Sequence, residues 1–264
     1  MRLPAPGPLV YGILALFVCI AVSHLNGAQL PVPLNLALVF AMSFSYYRYA
    51  THWSGILQAS RLSLRSFFMP EILVTLAVLT GLVWVNRTDW NPFVLITVLI
   101  IAFLYHPPIG FNGLRAYPWF KNLLVAWAWA LLGYLYITES AQTGRLYLPA
   151  IFIFLNVLFV SMLFDRLDSM EDQINGHETL HHIMGDRQSV LLILILISAS
   201  VCEWKILQFS ASAGLMHSAS LVLLSLILAA LIPFSSQTQG TRSNLIRWSA
   251  EFCLLGKMIA MILS

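Results

Sequence analysis

The sequence predicts an all-α integral membrane protein of nine transmembrane helices. Three observations carry that expectation. First, 59% of the 264 residues are hydrophobic and only 9% are charged, against about 25% charged in an average soluble domain. The mean hydropathy is +0.81. A soluble chain of this length needs a polar exterior and cannot hide so much apolar surface. A water-soluble enzyme, a nucleic-acid-binding module and a disordered protein are therefore excluded. Second, the apolar runs approach the roughly 20 residues that a spanning helix needs, whereas barrel strands need only about 9–11 with strict alternation. Third, Lys and Arg are spread unevenly between alternate loops, as the positive-inside rule requires.

The nine runs, in order, are 9–25, 32–50, 70–86, 92–106, 119–138, 146–164, 189–208, 215–234 and 244–263. Helix breakers separate or end them: Pro31 and Pro33, Pro70, Asn91-Pro92, Pro107-Pro108, Thr143-Gly144, Gly176, Gly214, Pro233 and Gly240. The first run also fits a signal peptide, with Arg2 ahead of it and small residues behind. Kept as a span, it completes a nine-helix topology with the termini on opposite sides. With a cytoplasmic N-terminus, the inner loops and ends carry Arg2, Arg48, Arg61, Arg65, Arg115, Lys121, Arg166, Arg187, Arg242 and Arg247. The outer side carries Arg87, Arg145 and Lys205. That asymmetry predicts a multi-pass protein of a bacterial inner membrane, a single domain over residues 1–264. Its cytoplasmic loops 51–69, 107–118 and 165–188 form a polar cap. Trp84, Trp90, Trp119, Tyr147, Trp204 and Trp248 lie near span ends and read as an aromatic belt.

The scarce charges are not evenly spent. Of the eleven carboxylates, four fall in the octet DRLDSMED: Asp165, Asp168, Glu171 and Asp172. Asp165, Asp168 and Asp172 are spaced i, i+3, i+7. If the sixth helix runs two turns beyond the membrane, all three share one face. Like charges so placed repel, and a divalent cation turns the repulsion into binding. Oxygen ligands suit Mg²⁺, which commonly bridges carboxylates to a substrate's phosphates. A solvated acidic loop is the plainer alternative.

Other segments are weaker signals. His177, Glu178 and His181 match HExxH, which binds zinc only if it lies on a helix; Gly176 and Gly185 leave room for a short one at most. In the loop after the fourth span, Arg115 and Lys121 stand near Tyr105 and Tyr117. A planar guanidinium fork and an ammonium point charge suit phosphate, though both cations equally fit positive-inside anchoring. In the last span, Glu251 lies about two turns in from the cytoplasmic end and is expected to face a cavity, while Lys257 is near enough to the outer end to snorkel. Cys19, Cys202 and Cys253 sit singly in apolar runs and read as small buried hydrophobes.

Together these features resemble the UbiA superfamily of intramembrane prenyltransferases. The resemblance rests on span number, loop pattern and the sequence Asp165-x-x-Asp168-x-x-x-Asp172, followed by Gly176, Thr179-Leu180 and Gly185. This is similar to the family's second aspartate-rich motif. The stretch from Tyr105 through Arg115 to Lys121-Asn122 looks like its diphosphate-binding loop, and Glu251 matches an acid many members carry in the last helix. The resemblance implies nine helices around a central cavity open to lipid. It implies Mg²⁺ on Asp165, Asp168 and Asp172, which are also the catalytic residues, and a substrate held by Arg115, Lys121 and Tyr105. The partners it implies are an isoprenoid diphosphate and membrane lipid, with an aromatic or lipid acceptor.

The chain departs from the family in the first aspartate motif. Between Asn35 and Glu71 there is no Asp, Glu or Asn. The segment is cationic instead, with Arg48, His52, Arg61 and Arg65. Arg48 and His52 are i, i+4 and share a helix face, which makes Arg48 a candidate phosphate clamp in place of a metal. An enzyme with half of the metal machinery and a non-catalytic lipid-binding or assembly protein on the same scaffold are both compatible with this. A transporter is weaker, since transporters place ionisable groups near the midplane.

Overall fold

A computed structural model describes residues 7–25, 91–105, 117–134, 147–174, 178–209, 215–235 and 241–263, with Leu114 and part of the stretch 33–47. The described residues are helical apart from short turns, and no strand occurs among them. The helices are α1 (Pro8–Leu25), α2 (Pro92–Tyr105), α3 (Pro118–Leu132), α4 (Tyr147–Ile174), α5 (Leu180–Met184), α6 (Arg187–Phe209), α7 (Leu215–Ser235) and α8 (Thr241–Ile262). The described residues between 33 and 47 that have an assigned state are helical as well. The run expected at 70–86 and the loop 51–69 lie outside the described residues.

Proline and short polar side chains set the helix starts. Asn91 precedes Pro92, and its Oδ1 accepts from the backbone N–H groups of Phe93 (3.1 Å) and Val94 (3.3 Å). Proline at the first helical position loses a donor that would have been unpaired anyway. Pro118 opens α3 in the same way after an extended Tyr117. At the other end, α3 stops at Leu132, short of the expected 138. Gly133 follows, and a Cβ there would meet the Val22 side chain at 2.5 Å, so the missing side chain lets α1 approach α3.

Among the described residues, three helices are long and apolar enough to cross a membrane: Tyr147–Ser169, Arg187–Gln208 and His217–Ser235. Leu9–Leu25 is a shorter apolar helix. The faces of α6 and α7 turned from the bundle carry Ile193, Leu194, Ile197, Val222, Leu223 and Leu226, all exposed, as lipid-facing positions would be. Trp119, Tyr147 and Trp204 are exposed near helix ends, where an aromatic belt is expected.

The organising element is α4, which packs against α1, α3, α5, α6, α7 and α8. Phe152, Ile153, Phe159 and Leu163 on it are fully buried. Cys19, Cys202 and Cys253 are free and buried, as their apolar surroundings predicted.

Candidate functional site

The octet does continue the helix. α4 spans 28 residues and carries Asp165, Asp168 and Asp172 beyond the expected end at 164. Its repelling face is answered by cations from neighbouring helices. Asp165, with no exposed side-chain surface, accepts from Lys121 Nζ on α3 at 2.6 Å. Its second oxygen accepts from the backbone N–H of Leu180, the first residue of α5, at 2.9 Å. Asp168, about a third exposed, forms an ion pair with Arg247 of α8. The Arg247 guanidinium also lies 5.4 Å from the Phe164 ring centroid, a cation–π arrangement.

Around this layer the polar groups are paired locally. Ser161 donates to Asn122 Oδ1 at 2.6 Å, tying α4 to α3. Arg166 donates to Ser189 at 2.5 Å. The buried Gln188 donates to the Met162 carbonyl at 3.2 Å, and its oxygen lies 3.0 Å from His181 Nδ1. Thr179 caps α5 from an extended conformation, and its backbone N–H and that of His182 exchange bonds with the opposite side chains. Gly185, at φ +55°, closes the turn into α6, a conformation that costs glycine least. Burial and then Arg166 hold the His181 imidazole below its ordinary value.

The site residues read from the sequence divide as follows. Asp165 and Lys121, expected to serve metal and phosphate separately, are brought together as a salt bridge. Asp168 is on the same helix end. Asp172 is on α4, with its side chain outside the described residues, as are Arg115, Arg48 and His52 entirely. Tyr105 is the last residue of α2. The HExxH reading fails on backbone grounds. The helix begins only at Leu180, with Thr179 extended before it, so Glu178 and Thr179 lie outside the helix that the motif needs. Among the described residues there is no group of three His, Cys, Asp or Glu side chains placed to hold a metal. Both Asp165 oxygens are already engaged, by Lys121 Nζ and by the Leu180 N–H, whereas Asp168 is about a third exposed. Magnesium commonly takes one or two carboxylates, with waters and phosphate completing its shell.

Two groups of residues were missed. Arg247 had been counted only among inner-side charges. Its partnership with Asp168 crosses 79 positions, beyond the reach of local spacing. The second group lies deeper. Lys257, expected to snorkel, is fully buried and forms an ion pair with Glu203 of α6. Its Nζ also donates to Asn156 Oδ1 of α4 at 3.0 Å, and Asn156 Nδ2 donates to the Phe152 carbonyl at 2.9 Å. The available signal was a lone acid and a lone base, each inside an apolar run of a charge-poor chain.

Beside the first layer, Tyr11 stacks on Tyr47 at 4.0 Å between centroids. Trp129 Nε1 donates to Tyr47 Oη at 3.2 Å. Glu251, one turn beyond Arg247 on α8, is 3% exposed. The Tyr11 hydroxyl is its side-chain hydrogen-bond partner, and Arg247 acts on it electrostatically. No family model, curated protein or solved structure matches the chain.

Proposed function

We propose that the protein is a UbiA-like, Mg²⁺-dependent prenyltransferase of nine transmembrane helices, which moves an isoprenoid group from a prenyl diphosphate to an acceptor in the membrane. The observation that supports this reading best is the charged layer at the end of α4. There Asp165 and Asp168 pair with Lys121 and Arg247, and the Phe164 ring lies against the Arg247 guanidinium. A prenyl diphosphate has the same two-part character, a compact polyanion on an apolar tail.

In this reading Lys121 and Arg247 bind the diphosphate. Arg247 offers a planar fork and Lys121 a point charge. Each exchanges a carboxylate for phosphate oxygens, so the aspartates keep the cations oriented before substrate arrives. Asp168 and Asp172 would hold Mg²⁺, which when bound supplies positive charge to the departing pyrophosphate. Asp165 anchors Lys121 and the start of α5. Tyr11, Tyr47, Trp129 and Phe164 offer π faces to an allylic cation. By the resemblance, Arg48, Arg115 and Tyr105 would add further contacts to the diphosphate. A cytoplasmic N-terminus in a bacterial inner membrane places this layer on the cytoplasmic side.

The test is turnover. Protein in proteoliposomes made from total membrane lipid, given farnesyl diphosphate, releases pyrophosphate with Mg²⁺ and not with EDTA. Release equal to that of protein-free liposomes refutes the enzyme. One observation favours the non-catalytic scaffold instead. Asp165 and Asp168 are already matched by cations, so their charges are answered without a ligand. That reading predicts diphosphate-independent stability and no release.

A further inference from the structure

α8 is long enough to cross a membrane but too charged to do so by composition. It spans 22 residues, above the roughly 20 that a crossing needs, yet it is not among the three described helices that are apolar enough. Arg247, Glu251 and Lys257 lie within it. The helix is two-sided. Leu245, Phe252 and Ile259 recur every seventh residue and are exposed, as a lipid-facing stripe would be. Glu251 and Lys257 are buried with Ile246, Ala250, Cys253 and Met258 on the face turned to the bundle.

Each of the three charges meets a group from a helix earlier in the chain. Arg247 pairs with Asp168 of α4. Glu251 has Tyr11 of α1 as its partner. Lys257 pairs with Glu203 of α6, and its Nζ donates to Asn156 Oδ1 of α4 at 3.0 Å. Every partner is therefore already made when α8 is synthesised. The Glu203–Lys257 pair is the most enclosed of these contacts, and its two members are not equivalent. Glu203 sits in α6, which is apolar enough to cross without help. Lys257 sits in α8, which is not. A charged side chain facing hydrocarbon is costly. Removing Glu203 leaves Lys257 to enter the membrane unanswered, whereas removing Lys257 relieves α8 of that charge.

We propose that α8 is a conditional membrane span, which crosses only when docked on helices made before it, with Glu203 of α6 as the group that commits its outer half. The inference rests on the nine-span topology and is independent of prenyl transfer. A role in stability alone treats the two members of the pair alike. A role in insertion does not.

Reporters fused to the C-terminus of the full chain in a bacterial host test this. Alkaline phosphatase is active only outside the inner membrane, and green fluorescent protein fluoresces only in the cytoplasm. Each is fused in turn and read per full-length fusion. The wild type should give active phosphatase and no fluorescence. Glu203→Leu should lower the phosphatase-to-fluorescence ratio by about tenfold or more. Lys257→Leu should keep the wild-type ratio, and Glu203→Leu combined with Lys257→Leu should restore it. The readout is the side on which the terminus lies, so no variant needs to reach the native fold. A wild-type ratio in Glu203→Leu overturns the proposal with the topology intact, since Lys257 then reaches the outer surface unaided. A ratio lowered equally by Lys257→Leu overturns it too, since loss of the pair and not an unanswered ammonium then moves α8. Fluorescence without phosphatase activity in the wild type overturns the nine-span topology itself, and the inference with it.

Discussion

Lys121 and Asp165 join α3 to α4 through a 2.6 Å salt bridge, and the same carboxylate holds the first backbone N–H of α5. One side chain thereby fixes three helices at the end of the bundle. Its substitution should be felt in all of them.

Asp165→Leu should remove the partner of Lys121 and the acceptor of Leu180 together. Buried hydrogen bonds to a charged group contribute about 1.5–3 kcal/mol. Asp165→Asn should lose less, since its amide oxygen still accepts from Leu180. Thermal unfolding in detergent should rank wild type above Asn and Asn above Leu. Equal stability of all three would mean that Asp165 does not anchor α5.

The sequence made some of this legible and hid the rest for a definite reason. The i, i+3, i+7 spacing of Asp165, Asp168 and Asp172 fits one helix face if α4 continues past 164, as it does, because helix periodicity is local. Asn91-Pro92 marked the start of α2 by the same local logic. What was not legible was partner choice. Lys121 reaches Asp165 across 44 positions, and Lys257 reaches Glu203 across 54. A single charge in an apolar run looks like a residue that must escape to water until its partner is seen. Glu251 was visible as an acid within the last span, whereas its neighbour Tyr11, on α1, required the fold.

The Glu203–Lys257 pair makes a second prediction. Both side chains are buried between α6 and α8, with Asn156 of α4 against them. Removing one member of a buried pair leaves an uncompensated charge and typically costs about 3–5 kcal/mol, whereas replacing both with apolar or neutral groups is often near neutral. Glu203→Gln and Lys257→Met should each destabilise the protein in a denaturant titration, and the double variant should recover most of the loss. Additive losses would show that the two residues act independently.

The α5 turn should loosen in acid. Burial, and secondarily Arg166, keep His181 below its unfolded value of 6.5, against the raising effect of its bond to Gln188. A base with a lowered folded value binds its proton more weakly when folded. Its stabilisation is full above pH 6.5 and is lost as pH falls from 6.5 through the lower folded value. Hydrogen exchange at residues 180–188 should accelerate in that window, and His181→Asn should flatten the response. Exchange unchanged from pH 7.5 to 5 would contradict the assignment.

The account stands most directly on whether the layer at the end of α4 binds a prenyl diphosphate through Mg²⁺. Equilibrium binding of fluorescent farnesyl diphosphate to the protein in nanodiscs, with Mg²⁺ and with EDTA, measures it. The prediction is saturable, Mg²⁺-dependent binding. Asp168→Asn should weaken its metal dependence by about 10–100-fold, while Glu171→Gln, off that face, changes it little. No saturable binding at any Mg²⁺ concentration, or equal losses in Asp168→Asn and Glu171→Gln, would contradict it.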